Sequence, residues 1–166
     1  MIVLILGGAG SGKSAAAERR ALLLPPPVTY VATWVPAPED LDMAGRVAAH
    51  QARRPPDWGL REVGADLAGC LRRESGTLLL DALGTWVAGL GDAVPLVGEV
   101  CDALVARDGD TVVVSDEVGS GVHPSSGAGR RFRDTLGGLN QAVAAVADEV
   151  WLVVAGRAVA MEPAPW

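Results

Sequence analysis

Lysine is nearly missing from this chain. Of its 14 strongly basic residues, Lys13 is the one lysine and all the others are arginine. Cysteine is scarce too. Cys70 and Cys101 have neither metal-ligand spacing nor a C-x-x-C arrangement, which excludes a zinc ribbon or a dithiol centre built from them. Each sits in an apolar helical stretch and reads as a buried thiol. Positive charge is outnumbered: 20 acidic residues against 14 basic ones give a formal net charge of −6 and a pI near 4.8. That balance argues against non-specific nucleic-acid binding, which needs a basic face, but leaves local binding of a nucleotide open. No apolar stretch is long enough for a membrane span. The short apolar run near Met1 has no basic segment ahead of it and is too short for a signal peptide. We therefore expect a soluble cytoplasmic protein. No fixed-period repeat is found. With 166 residues, 49% of them hydrophobic, the chain is large enough for one domain with a real core.

What the chain does have is concentrated near its start. Gly7–Ser14 reads GGAGSGKS and fits G-x-x-x-x-G-K-[ST]. The run Ile2-Val3-Leu4-Ile5-Leu6 before it reads as a buried strand, and an Ala- and Leu-rich segment from Ala15 reads as a helix. Strand, glycine loop and helix N-terminus make an anion hole, because the glycines let backbone N–H groups turn toward phosphate oxygens. In that setting Lys13 would neutralise the terminal phosphates and the Ser14 hydroxyl would hold Mg²⁺. A composition that otherwise avoids lysine keeps one where a compact ammonium is needed.

Further along, expected strands at 28–33, 60–63, 77–81, 111–115 and 149–155 alternate with expected helices at 15–24, 40–53, 65–73, 82–90, 96–107 and 130–147. Continuous apolar strands separated by helices imply an α/β fold with a mostly parallel central sheet covered on both faces. One catalytic domain is expected over residues 1–156, then a C-terminal tail over 157–166. Ligands of such sheets bind beyond the carboxyl ends of the strands. This directs attention to Gly7–Ser14, Thr33–Ala37, Asp81–Thr85 and Asp116–Gly129.

Several residues there have chemistry to offer. Asp81 ends an apolar strand, where a carboxylate holds magnesium or caps the next helix, two roles that are compatible. Arg46, His50 and Arg53 share one helical face, with Arg54 beside them. That stripe is either a solvated basic face or a seat for polyphosphate. The electrostatics of His50 pull both ways: an expected helix C-terminus favours imidazolium, whereas nearby arginines favour the neutral imidazole that a nucleophilic histidine requires. Glu62 is either surface decoration or an acceptor for a base or ribose. Asp116-Glu117 opens a Gly- and Ser-rich loop and reads equally as a second carboxylate pair or as a turn. Arg130, Arg131 and Arg133 open the following helix, where cations oppose the dipole. An anionic substrate or a neighbouring subunit would account for them.

Taken together, these segments resemble one family, the bifunctional adenosylcobinamide kinase / adenosylcobinamide-phosphate guanylyltransferase of adenosylcobalamin biosynthesis. The resemblance rests on Gly7–Ser14, Tyr30-Val31-Ala32-Thr33, the segment from Asp42-Met43 to His50, Arg53-Arg54-Pro55 with Trp58, and Leu79-Leu80-Asp81. It continues through Glu117-Val118-Gly119, Arg131-Phe132-Arg133-Asp134 with Asn140-Gln141, and Ala147-Asp148-Glu149-Val150, in family order over residues 2 to about 156. It implies a P-loop NTPase-type three-layer α/β sandwich and two reactions. In the first, ATP or GTP phosphorylates adenosylcobinamide. In the second, GTP leaves GMP on a histidine, matched here by His50, and the GMP passes to adenosylcobinamide phosphate.

By the same resemblance, Gly7, Gly8, Ala9, Gly10, Ser11, Gly12, Lys13 and Ser14 cradle the nucleotide phosphates, and Lys13 and His50 are the catalytic pair. Further nucleotide contacts are implied at Ala32, Thr33, Trp34, Gln51, Ala52, Arg53, Arg54, Glu62 and Asp81, with Ser14 and Asp81 on the Mg²⁺ side. A homotrimer with sites at subunit contacts is implied as well. Three positions depart from the pattern: Asp116 where asparagine is usual, His123 where an apolar residue precedes the proline, and Trp34 where a smaller residue is common. Two competing readings are a small P-loop metabolite kinase with a structural His50, and a non-catalytic nucleotide-binding switch.

Overall fold

The computed structural model describes residues 1–33 and 55–165, and the elements below are numbered within those residues. The first strand, β1 (Ile2–Gly7), shows how the sheet is built. Side chains along a strand alternate between faces. Ile2 and Leu4 join one apolar cluster, while Val3 and Ile5 join the other. β4 (Thr77–Asp81) repeats the division, with Leu78 and Leu80 on the first side and Leu79 on the second. β5 (Thr111–Asp116) does the same with Val113 against Val112 and Val114. Both faces are apolar because helices cover both.

β2 (Val28–Ala32), β3 (Gly59–Glu62), β6 (Glu149–Val154) and β7 (Arg157–Ala160) complete a seven-stranded sheet among the described residues, in the order β3-β2-β4-β5-β1-β6-β7. β1 to β6 are parallel and β7 is antiparallel to β6. Helix α1 (Lys13–Ala21) lays Ala17 and Ala21 on the Val3–Ile5 side. On the other face lie α2 (Leu67–Arg73), α3 (Leu83–Gly89), α4 (Val97–Ala106) and α5 (Gly127–Val146). They contribute Leu67, Leu71, Trp86, Leu104, Leu136 and Leu139 to the larger cluster. Each such buried side chain contributes about 1.5–3 kcal/mol over its exposed state. The expected α/β sandwich with a mostly parallel sheet is the observed one.

The ends of the sheet are pinned by polar groups. At the amino edge, Asp148 Oδ2 accepts the Ile2 N–H at 2.6 Å. Arg107 reaches the Asp110 and Gly76 carbonyls at 2.8 and 2.6 Å and the Thr111 hydroxyl at 2.7 Å, tying the start of β4 to the start of β5. Burial lowers the pKa of its guanidinium. Both cysteines are free thiols; Cys70 is buried and Cys101 half-buried, and burial raises each thiol's pKa.

Two local expectations need correction. Residues 157–160, read as the start of a tail, form β7. All four of its residues are exposed, so no apolar alternation marks it. Ala155 and Gly156 turn the chain with φ of 51° and 73°, the left-handed geometry that two-residue hairpins need. Helix α5 begins at Gly127 rather than Arg130, because the Ser126 hydroxyl accepts the Gly129 N–H at 3.0 Å and caps it. Arg131 and Arg133 thus lie beyond the first turn of the helix, whereas Arg130 reaches back to the Pro124 and Ser125 carbonyls just ahead of the cap. The expected helix at 40–53 lies outside the described residues.

Candidate nucleotide site

The loop between β1 and α1 is set by its glycines. Gly12 is the N-cap of α1 with φ 91°, a conformation side chains resist. A Cβ on Gly7 would lie 2.7 Å from the Val153 carbonyl, so only glycine lets β1 and β6 approach at the loop. The Ser11 N–H bonds back to the Gly8 carbonyl at 3.2 Å, and Ser11 Oγ accepts the Lys13 N–H at 3.3 Å.

Two side chains at the start of α1 each face a carboxylate. Lys13 Nζ lies 2.7 Å from Asp116 Oδ1 and donates to the Gly8 carbonyl at 3.2 Å. Ser14 Oγ lies 3.4 Å from Asp81 Oδ1, and the Tyr30 hydroxyl donates to Asp81 Oδ2 at 2.9 Å. The alternative role of Asp81 as a helix cap does not hold, since the N-cap of α3 is Ala82. Asp81 and Asp116 end neighbouring strands, so strand order alone brings both carboxylates to the loop.

The remaining residues lie along the same carboxyl edge. Ala32 is paired in register with Asp81 on one side and Glu62 on the other, which sets the three in a row. Glu62 is exposed at the end of edge strand β3. Thr33 is buried; its hydroxyl donates to the Ala82 carbonyl at 2.7 Å and accepts the Ala82 N–H at 3.0 Å. It therefore braces the turn after β4. Trp34, Arg46, His50, Gln51, Ala52, Arg53 and Arg54 lie outside the described residues.

The two readings of Asp116-Glu117 separate. Asp116 turns to Lys13, while Glu117 turns onto its own loop and accepts the Gly119 N–H at 2.6 Å. Asp116 was not among the expected nucleotide contacts, although an acidic residue ending β5 as Asp81 ends β4 was the available signal. Asn140 anchors that strand end: its amide donates to the Asp116 carbonyl at 2.9 Å, and its oxygen accepts the Ser115 hydroxyl at 2.6 Å. Arg130 bonds the Pro124 and Ser125 carbonyls, Arg131 pairs with Asp92, and Arg133 with Asp134. Arg133 also donates to His123 Nδ1 at 2.9 Å, because a guanidinium only donates.

Among the described residues, no three His, Cys, Asp or Glu side chains gather as a metal cluster, and no helix is long and apolar enough to cross a membrane. The site is one cation and one hydroxyl at a helix start, each set against a carboxylate, beside a glycine loop. That is the equipment for gripping a polyphosphate.

The family model for cobinamide kinase / cobinamide phosphate guanyltransferase matches residues 3–161. The bifunctional adenosylcobalamin biosynthesis protein CobP of Pseudomonas aeruginosa is 39% identical, with 98% of this chain and 98% of that protein covered. The corresponding CobU protein of Salmonella typhimurium is 34% identical, covering 94% of this chain and 97% of its own. Among solved structures, an ATPase from the type III secretion system of pathogenic bacteria has a TM-score of 0.58 over 91% of this chain and 50% of its own. At 10% identity that likeness shows the shared fold alone.

Proposed function

The chain belongs to the cobinamide kinase / cobinamide phosphate guanyltransferase family, and from that premise we propose how its residues share the two reactions. Both activities, in adenosylcobalamin biosynthesis, come with the family. In our reading Gly7–Ser14 cradles the phosphates of ATP or GTP, and Lys13 neutralises their terminal charge. The observation that carries this is the pairing of Lys13 and Ser14 with Asp116 and Asp81 at the mouth of the loop.

In the kinase step the hydroxyl of adenosylcobinamide attacks the γ-phosphorus, and the bond to the leaving diphosphate breaks. In the transferase step the His50 imidazole attacks the α-phosphorus of GTP. A P–N bond forms and pyrophosphate leaves with the electron pair of the broken P–O bond. The phosphate of adenosylcobinamide phosphate then displaces the imidazole, giving adenosylcobinamide-GDP. Arg46, Arg53 and Arg54 keep the ring neutral and take up charge on the α-phosphate. Ala32, Thr33, Trp34, Gln51, Ala52 and Glu62 complete the nucleotide contacts.

Ser14 and Asp81 are the residues that would hold Mg²⁺. Both offer oxygen, which suits a hard cation. Magnesium takes few protein ligands and keeps water and phosphate in its shell, which fits two donors rather than an acidic cluster. When bound it neutralises phosphate charge. We also assign the protein to the cytoplasm and to a homotrimer with sites at subunit contacts.

Incubation with α-labelled GTP tests the assignment. An acid-labile, alkali-stable adduct is expected on the protein and is expected to vanish in His50→Ala. Label that never attaches, or that persists in His50→Ala, overturns the nucleophile. Lys13→Ala is expected to lose triphosphate binding and both activities; retention of either points to a second nucleotide site.

A further inference from the structure

We propose that Thr33 is a positioning residue for the metal side of the site: by holding Ala82 it fixes where the Asp81 carboxylate stands opposite Ser14. The inference rests on the assignment of Ser14 and Asp81 to Mg²⁺ made above. Thr33 follows the last residue of β2, and Ala32 is paired in register with Asp81 at the end of β4. The two positions therefore lie side by side at the carboxyl edge of the sheet.

Thr33 is only 5% exposed, and its hydroxyl is spent inside the protein. It donates to the Ala82 carbonyl at 2.7 Å, accepts the Ala82 N–H at 3.0 Å and lies 2.6 Å from the Thr85 hydroxyl. A hydroxyl has one proton and two lone pairs. With Thr85 donating to Thr33, all three are used, and none is left for a nucleotide. The backbone and methyl group of Thr33 remain for the contact assigned above; what its hydroxyl does for the site passes through Ala82. Thr85 lies 3.3 Å from the same Ala82 N–H and is the weaker acceptor.

The Ala82 N–H belongs to the peptide that joins it to Asp81. Bonds to that N–H and to the Ala82 carbonyl pin the chain directly after the carboxylate residue. Tyr30 holds the carboxylate itself, through Oδ2 at 2.9 Å, while Thr33 holds the backbone that carries it. The other oxygen, Oδ1, reaches Ser14 Oγ at 3.4 Å. That is long beside the roughly 2.5–3.0 Å of an ordinary O–H···O bond, so a small displacement of the Asp81 backbone separates the two oxygen donors. Removing the Thr33 hydroxyl frees such a displacement and leaves the buried Ala82 N–H its more distant acceptor alone.

The readout is binding of a fluorescent N-methylanthraniloyl ATP without corrinoid acceptor, measured in EDTA and in saturating Mg²⁺. The ratio of the two Kd values is the tightening due to the metal. Thr33→Val keeps the shape and removes the hydroxyl. Its tightening is expected to be about 3- to 10-fold smaller than that of wild type, the factor one hydrogen bond is worth, with the Kd in EDTA unchanged. Thr33→Ser keeps the hydroxyl and is expected to keep the tightening. A merely structural role would lower Tm and leave the ratio alone. Full tightening in Thr33→Val overturns the proposal. So does a Kd in EDTA that weakens as much as the Kd in Mg²⁺, which would mean a direct grip on the nucleotide. A Thr33→Ser variant as poor as Thr33→Val overturns it as well. Should Thr33→Val not fold by circular dichroism, Thr85→Val, which removes the partner hydroxyl, takes its place under the same criteria. Asp81→Asn run in parallel separates the two assignments. If it keeps the full tightening, Asp81 is not on the metal side. If it loses the tightening while Thr33→Val keeps it, only the positioning role falls.

Discussion

The Gly156 N–H donates to the Ser11 carbonyl at 2.8 Å, so the turn of the last hairpin is tied to the glycine loop at the opposite end of the chain. The contact is close: a Cβ on Gly12 would lie 3.4 Å from Gly156 Cα. If the loop aims backbone N–H groups at phosphate as proposed, it gains rigidity from such a brace.

The hairpin turn is where sequence and geometry fit least well. Among the described residues, Ala155 is the one non-glycine residue with positive φ, which costs roughly 1–2 kcal/mol. Asparagine tolerates that conformation, and Asn-Gly is the preferred pair for such turns. Ala155→Asn is expected to raise Tm by about 2–4 °C. Gly156→Ala, at φ 73°, is expected to lower Tm by a similar amount and to raise KM for the triphosphate. Thermal unfolding and initial rates of the two variants check both halves.

The Mg²⁺ role proposed for Ser14 and Asp81 is open to titration. Asp81→Asn removes the negative charge that faces the Ser14 hydroxyl and is expected to raise the Mg²⁺ concentration for half-maximal kinase rate by about 10- to 100-fold. Tyr30→Phe removes one hydrogen bond to the same carboxylate and is expected to produce a smaller shift in the same direction. Titration of the kinase rate with Mg²⁺ reads both, and an unchanged requirement in Asp81→Asn removes it from the metal side.

Acid stability depends in part on Glu149. The Trp151 indole N–H donates to its carboxylate at 3.0 Å and Arg20 pairs with it at 2.9 Å, which hold its pKa below the ordinary 4.5. A depressed carboxylate stabilises the fold above its unfolded pKa, and the contribution fades as pH falls through the folded value. Glu149→Gln is therefore expected to be less stable than wild type at neutral pH. The gap is expected to close as pH drops from about 4.5 toward the lower folded pKa. Urea midpoints across that range measure it.

Much of the site was legible because its signals are local. Gly7–Ser14 is contiguous, and the apolar runs of β1, β4 and β5 mark buried strands whatever their neighbours are. The edge elements were harder to read. β7 has no buried face to pattern, and the start of α5 depends on one serine hydroxyl. Asp116 was read as half of a carboxylate pair or a turn because nothing near it in sequence names its partner.

By itself, then, the sequence determined a strand, glycine loop and helix start on a parallel sheet, since glycine placement and apolar runs act on the backbone within a few residues. Tertiary structure decided which carboxylate meets which side chain of the loop. Ser14 and Asp81 are 67 residues apart in the chain. They meet, as do Lys13 and Asp116, because the order β4-β5-β1 sets three strand ends side by side. That order comes from how helices and strands pack across the whole domain, which no short stretch of residues encodes.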